Sequence, residues 1–372
     1  MKFTIERAIL LKTLSHVQSI VEKRNTIPVL SNVRIEALAD GISFKATDMD
    51  TEITEVTDAK IAEKGATTAP AHMLYDIVRK LSDGAEVQIT FPDEKGQLSI
   101  ASGRSKFSLP TIAVEDFPVI TDDELPISFA MSKEDLKDVI DRTQFAASTE
   151  ETRYYLNGLY VHAKTEKGTK VLRVVATDGH RLACVETPLP KGAEKMEGVI
   201  IPRKTVAEIR KLLDDSDSET ISLSLSENKI CFVLKDVTLT SKLIDGTYPD
   251  YERVIPTNND KVLELSAKDL STAVDRVSVV AERTRAIKLI TSKNHLVITT
   301  SSPDLGSALE ELEATYKADA LEVGYNFRYL LDILSEIKGD KVQMTFSDSS
   351  SPSIVRDTSD SSAIYVLMPM RV

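Results

Sequence analysis

The sequence predicts an α+β chain made of three tandem copies of one domain, each a pair of helices laid on sheet. Three observations carry this reading. A short strand leading into an amphipathic helix occurs three times, and a second strand-and-helix unit recurs later in each copy. The spacing is also nearly constant. Leu136 lies 126 positions beyond Leu10, Leu270 lies 134 beyond Leu136, and Pro202 lies 132 beyond Pro70. One third of the 372-residue chain is 124 residues, so three copies use it up.

The elements follow in order. Phe3-Thr4-Ile5, Phe129-Ala130-Met131 and Leu263-Glu264-Leu265 read as opening strands. Each feeds a helix with apolar residues three or four apart: Leu10, Leu14, Val17 and Val21; Leu136, Ile140 and Thr143; Leu270, Val274 and Val277. The second helices are marked by Met73, Leu74, Ile77, Val78 and Leu81, by Val206, Ile209, Leu212 and Leu213, and by Leu330, Leu331, Leu334 and Ile337. Short strands enter them, ending at Pro70, Pro202 and Gly324, and alternating strands follow at 86–89, 220–225 and 341–346. An aromatic-Pro pair, Phe117-Pro118 and Tyr248-Pro249, closes the first two copies. Polar, Pro-containing linkers at 122–126 and 256–260 set the expected domains at 1–126, 127–256 and 257–372. The Ser/Asp-rich stretch 347–362 is expected to be a hairpin loop.

Composition narrows the function classes. With 46 Lys and Arg against 58 Asp and Glu, the formal charge is −12, against the basic balance of a simple duplex binder. No apolar run is long enough for a membrane helix, and the N-terminal residues lack a signal-peptide core. Two cysteines, Cys184 and Cys231, are expected as buried thiols in a reducing compartment, and five histidines without a Cys/His cluster argue against a zinc site. No cofactor or metal is expected. Asp178-Gly179-His180 could suggest acid–base chemistry, but it equally fits a turn after Val174-Val175-Ala176, and Thr47-Asp48-Met49-Asp50 takes the same place in the first copy. Neither phosphate-cradling glycine motif is present. The chain is therefore expected not to be an enzyme.

Several segments resemble one family. They are Met1-Lys2-Phe3-Thr4-Ile5-Glu6-Arg7, Arg153-Tyr154-Tyr155-Leu156-Asn157-Gly158, Ala176-Thr177-Asp178-Gly179-His180-Arg181-Leu182, Val199-Ile200-Ile201-Pro202-Arg203-Lys204, Tyr248-Pro249-Asp250-Tyr251 and Tyr365-Val366-Leu367-Met368-Pro369-Met370-Arg371. In order and spacing they resemble the β subunit of bacterial DNA polymerase III, the bacterial sliding clamp, across the entire chain. The resemblance implies a homodimeric ring of six DNA-clamp domains, helices inside and sheets outside. Size arithmetic permits it. A 124-residue domain is about 35 Å across, so three in a triangle leave a hole of about 5 Å and six in a hexagon one of about 35 Å. A duplex roughly 20 Å wide passes only the second. Enclosure also reconciles an acidic chain with DNA, since topology retains what weak contacts do not.

The resemblance further implies site residues. Arg24 is expected on a DNA-facing loop, and Arg153 with Tyr154 and Tyr155 on a loop suited to stacking on an exposed base. Arg79, Arg203 and Lys204 are bases available to an inner face, although for any one of them taken singly a solvated helix face is the favoured reading. Glu150-Glu151 departs from the neutral amide often found in the family. A hydrophobic cleft for partner peptides is implied at Leu156, Thr177, Gly179, His180, Arg181 and Leu182, then at Pro249, Arg253 and Val254. Its last segment is Val366, Met368, Pro369, Met370 and Arg371. Methionines suit it because they repack around varied ligands, and Arg181, Arg253 and Arg371 are expected to orient a peptide. For ring closure, Arg104, Lys106, Phe107 and Leu109 are expected to face Val279, Val280 and the acids Glu310, Glu311 and Glu313. Leu305-Gly306-Ser307 partly replaces the family's acidic cluster there. The implied partners are a second copy of the chain, double-stranded and primed DNA, the replicative polymerase catalytic subunit and the clamp-loader complex. Repair and translesion polymerases carrying short clamp-binding peptides complete the set. No membrane partner is implied, and the location is cytoplasmic, associated with the nucleoid. A repeat scaffold that binds proteins without surrounding DNA is the competing reading.

Overall fold

The computed structural model describes residues 1–23, 25–39, 41–92, 96–120, 124–166, 168–281 and 285–371. Among the described residues six α-helices run α1 (Arg7–Ile20), α2 (Ala71–Arg79), α3 (Lys133–Gln144), α4 (Arg203–Asp215), α5 (Ala267–Ala281) and α6 (Phe327–Ser335). They come in pairs, one long helix behind each opening strand and a second behind each mid-repeat strand, as the periodicity predicts. The stripe residues explain why they form: Leu10, Leu14 and Val17 on α1, and Leu270, Val274 and Val277 on α5, are all almost completely buried. Leu81 and Ile337, at the ends of two predicted helices, fall just beyond α2 and α6.

The chain forms two compact units. The first comprises Met1–Glu134, Pro190–Ala193 and Lys204–Leu243. Its five-stranded sheet has the order Lys60–Glu63, Lys2–Glu6, Glu86–Thr90, Gln97–Ser102, Ser105–Pro110. Its eight-stranded sheet runs Ile127–Ser132, Thr220–Leu225, Lys229–Leu234, Val237–Lys242, Thr51–Thr57, Ile42–Thr47, Asn32–Ala37, Gly65–Pro70. The seam is antiparallel, with Thr240 opposite Glu52 and Ser241 opposite Thr51, so strands of the second repeat continue the sheet of the first.

The second unit comprises Asp135–Leu189, Glu194–Arg203 and Ile244–Val372. Its nine-stranded sheet runs Val199–Pro202, Gly158–Glu166, Thr169–Thr177, Arg181–Pro188, Ala363–Leu367, Ser353–Asp357, Lys341–Phe346, Lys261–Ser266, Thr315–Tyr316. Here Leu182 stands opposite Val366, so the last strand of the third repeat extends the sheet of the second. A four-stranded sheet follows the order Gly306–Glu313, His295–Ser302, Ala286–Ser292, Leu321–Asn326. The middle repeat thus divides its strands between the two units.

Two expectations need correction. The stretch 347–362 is not a loop throughout: Ser353–Asp357 is an interior strand, and Ser353 is fully buried with its hydroxyl paired to Tyr325. Cys184 is buried as expected, whereas Cys231 is half-buried. Neither is in a disulfide.

Candidate functional site

In the second unit, the cleft segments meet around one tight turn. Thr177 ends a strand, and its Oγ1 donates to the Arg181 carbonyl at 2.6 Å while accepting from Gly179 N at 3.1 Å. Asp178 Oδ1 accepts from the backbone N–H of His180 at 2.8 Å and of Arg181 at 3.0 Å. Gly179 supplies the left-handed φ of 87° that closes the turn. One oxygen of the Asp178 carboxylate is therefore taken by backbone donors and the other accepts from Arg181 Nε at 3.2 Å, the turn-forming role of aspartate rather than acid–base chemistry.

Beneath the turn lies an apolar floor. Leu156, Leu182 and Val366 are buried together with Val175, Cys184, Ile200, Tyr248 and Tyr251. They support the cleft from within rather than exposing surface. Burial pushes the Cys184 thiol up to about 12, which leaves it protonated and inert. Val254 and Met368 are exposed apolar rim residues, with Pro249, His180 and Arg253 also exposed. Met368 is held there by its N–H donating to the His180 carbonyl at 2.9 Å. Arg253, 83% exposed and 2.7 Å from Asp250, is a rim cation available to a ligand.

Three of the expected cleft residues are held by contacts of their own or lie away from the apolar floor. Arg181 is not free to orient a peptide. Its guanidinium donates to the Phe145 carbonyl at 2.5 Å, pairs with Asp332 and Asp178, and packs 4.4 Å from the Tyr329 ring centroid. Met370 and Arg371 do not join the floor. Met370 N donates to the Gly324 carbonyl at 2.9 Å, and both residues line concavities shared with Lys288. Pro369 lines one of these concavities as well.

Sequence reasoning missed the supports of the rim. Tyr160 stacks on Tyr248 at 4.6 Å and on His162 at 4.9 Å, and Arg173 reaches the Tyr251 hydroxyl. Alternation of Tyr160 and His162 along one strand face is the one local signal that could have found them.

The basic positions differ in availability. Arg24 lies outside the described residues. Arg79 closes α2, half-exposed, 2.9 Å from Asp76. Arg203 opens α4 and is exposed, but Lys204 is not a free cation, because its ammonium pairs with Asp48. Arg153, Tyr154 and Tyr155 sit on the short 3₁₀ segment Glu151–Leu156, which is kinked at Arg153, where the backbone is non-helical. Tyr154 is 53% exposed and meets half-buried Tyr155 edge-on at 5.7 Å. Glu150 grips Arg153 with both oxygens, at 2.8 and 2.7 Å, and that hydrogen bonding holds the Glu150 carboxyl below its usual range. The acidic departure at this position therefore offsets a cation.

The closure residues lie on sheet edges. In the first unit, Ser105–Pro110 is an edge strand exposing Lys106 and, at 38%, Phe107, with exposed Arg104 in the turn before it. Leu109, two residues further along the same strand face, is packed into the core of this unit at 7% exposure, so it underlies the edge rather than being displayed on it. In the second unit, Gly306–Glu313 is an edge strand with Leu309 exposed, and Arg276 forks onto Glu310 at 2.6 and 3.0 Å. Val279 on α5 is 72% exposed and Val280 half-buried.

Among the described residues no cluster of three or more His, Cys, Asp or Glu side chains could hold a metal, and no helix is long and apolar enough to cross a membrane.

Three repeats, each with its helix pair, and sheets that run on from one repeat to the next define the three-domain sliding-clamp fold. Models of the DNA polymerase III beta subunit match in chain order: its N-terminal domain over residues 1–121, central domain over 130–250 and C-terminal domain over 252–371. The beta sliding clamp of Caulobacter vibrioides is 50% identical over 373 residues, and that of Escherichia coli K12 is 38% identical over 374, each covering all of both chains. A crystal structure of the Caulobacter crescentus clamp with PEG bound to its putative beta-motif tethering region superposes with a TM-score of 0.98 at 50% identity. It covers 100% of this chain and 99% of that one. A Bartonella birtlesii clamp bound to griselimycin gives 0.96 at 46% identity, with full coverage of both chains. The chain belongs to the DNA polymerase III beta subunit family, the bacterial beta sliding clamps. Its role is that of a processivity factor, and it is not itself a catalyst.

Proposed function

We propose that two copies of this chain close head to tail into a ring of six domains that encircles duplex DNA and tethers polymerases to it. The observation that carries closure is a pair of complementary edges. The strand Ser105–Pro110 offers unpaired backbone groups beside Arg104, Lys106 and Phe107, while Gly306–Glu313 offers the same beside Glu310, Glu311 and Glu313. An exposed edge strand is a template for pairing, and opposite charge selects the partner edge. A contact between two different surfaces closes into a ring when the rotation allows. The three domains, 1–126, 127–256 and 257–372, would place helices around the hole and sheets on the outer wall.

Inside the ring, Arg24, Arg79, Arg203 and the Arg153-Tyr154-Tyr155 turn face DNA, and weak contacts there permit sliding because no base readout is broken at each step. The cleft over Leu156, Leu182 and Val366, rimmed by Pro249, Val254 and Met368, receives a short peptide from each partner. These partners are the replicative polymerase catalytic subunit, the clamp-loader complex, and repair and translesion polymerases. The setting is the cytoplasm, on nucleoid DNA.

The test is topological. Protein loaded on nicked circular DNA is retained through a sizing column, and cutting the circle once releases it. Equal retention on circular and linear DNA overturns encirclement.

A further inference from the structure

The turn of the peptide cleft has a twin in the first unit. Thr47 Oγ1 donates to the Thr51 carbonyl at 2.9 Å and accepts from Met49 N at 3.0 Å, as Thr177 does with Arg181 and Gly179. Asp48 Oδ1 accepts from Asp50 N at 3.0 Å and Thr51 N at 2.7 Å, as Asp178 does from His180 and Arg181. Met49 has a φ of 80°, Gly179 one of 87°. The neighbouring strand corresponds too. Lys242 N donates to the Asp50 carbonyl at 2.8 Å, where Met368 N donates to that of His180 at 2.9 Å. Phe117-Pro118 then corresponds to Tyr248-Pro249. The place in the fold that forms the cleft in the second unit is therefore built again in the first.

That place is a concavity of about 210 Å³, lined by Thr47, Met49, Pro118, Val119, Ile120 and the lysines Lys229 and Lys242. Met49 is 44% exposed and Val119 53%, large exposures for apolar side chains grouped at one spot. A cavity of about 150 Å³ holds a benzene ring, so this one has room for one aliphatic side chain. Its chemistry differs from the cleft at two equivalent positions: Met49 replaces Gly179 and Lys242 replaces Met368. The Lys242 ammonium sits 3.0 Å from Asp50 in a pair whose side chains are 51% and 76% exposed. Such a wet pair is weak and can exchange its carboxylate for an incoming one. Below, Glu52 is occupied, accepting from Lys45 at 2.8 Å and from Ile120 N at 3.2 Å.

We propose that this concavity is a second docking site, taking a short extended peptide in which an aliphatic side chain is flanked by acidic residues. The aliphatic group packs on Met49, Pro118 and Val119, and a carboxylate pairs with Lys242. The parallel rests on the reading of the Leu156–Val366 cleft as a peptide site; the lining and its charge stand independently of it.

The probe is a capped peptide with one photoreactive leucine between two glutamates, and its control carries glutamines instead. On the full-length protein, irradiation and mass spectrometry should place label on Met49 or Val119, with the glutamine control labelling several-fold less there. Val119→Arg and Lys242→Glu, both at exposed positions, should each cut that label about tenfold, the equivalent of 1.4 kcal/mol. Lys242→Glu should also transfer preference to a lysine-flanked probe. Label confined to Val254 and Met368 overturns this site while supporting the cleft; label at Met49 without any at the cleft does the reverse. Labelling at Met49 that ignores both substitutions, or no labelling at all, overturns it as well.

Discussion

The guanidinium of Arg173 donates to the hydroxyl of Tyr251 at 3.1 Å, and through this bond a buried cation on a sheet strand fixes the segment that carries the cleft rim. Arg173 is 7% exposed and also binds Glu186, Glu252 and Glu166, at 2.8, 2.9 and 3.2 Å. Tyr251 opens the 3₁₀ turn Tyr251–Val254, which displays Arg253 and Val254.

Replacing Arg173 by Met should therefore loosen the rim as well as the fold. Glu186 loses its cation while Glu166 and Glu252 keep Lys164, and each carboxylate is at least a quarter exposed and can rehydrate. The cost should be about 2 kcal/mol, below that of a fully buried pair. Urea unfolding measures it. Peptide affinity at the cleft should fall together with it and recover in part with Arg173→Lys. Affinity untouched by Arg173→Met at full folding would show that Tyr251 does not position the rim.

His162 makes the same network sensitive to pH. Its Nε2 lies 2.8 Å from the Tyr251 hydroxyl and its Nδ1 3.2 Å from the Ala163 carbonyl, an arrangement suited to the neutral ring. Burial, with Arg173 and Lys164 nearby, lowers its pKa from 6.5. The unfolded chain then binds this proton first as pH falls, so stability declines below about pH 6.5 and the loss levels off beneath the folded pKa. His162→Gln, which keeps an acceptor for Tyr251, should shrink the difference in urea midpoint between about pH 7.5 and about pH 5. An unchanged difference would mean that His162 is not the group responsible.

What could be read in advance follows the range of the interactions. The three strand–helix openings and the Asp178 turn depend on residues within a few positions of each other, and both were legible. Pairing of Thr51–Thr57 with Val237–Lys242 was not, because periodicity reports a strand's faces and not its neighbour across nearly two hundred residues. The same distance hid the fate of Arg181, whose partner Asp332 lies on another repeat. Composition misled at Ser353–Asp357, where a serine-rich segment is buried because Tyr325 satisfies the Ser353 hydroxyl. On Ser105–Pro110, alternation places Phe107 and Leu109 on one face, yet that face runs out of the core between them.

Gly179 tests how far the turn, as distinct from its contents, matters. Met49 shows that the left-handed position accepts a side chain, so Gly179→Ala should fold, at a cost of about 1 kcal/mol. An added Cβ would, however, come within 2.6 Å of Arg153 Nη1, and that flexible side chain must move. Binding to primed DNA at low salt should weaken more in Gly179→Ala than in Gly179→Ala combined with Arg153→Ala, each relative to its own parent. Equal losses would separate the turn from Arg153.

Ring closure gives the sharpest contrast between neighbours. Phe107 and Leu109 are two residues apart on one edge strand, but Phe107 is 38% exposed and Leu109 only 7%. Phe107→Asp puts a charge where the proposed partner edge packs, so it should yield folded monomers with an unchanged melting curve. Leu109→Asp buries the charge in the core of the same unit and should cost several kcal/mol, unfolding that unit first. Sedimentation at micromolar concentration and circular dichroism separate the two outcomes. Lys106→Glu should weaken the dimer less, and by an amount that fades as salt rises, since the pairs it would make with the glutamates of Gly306–Glu313 are exposed and screened. A Phe107→Asp protein that still sediments as a dimer would move closure away from this edge altogether, because no other exposed large apolar side chain lies on that strand.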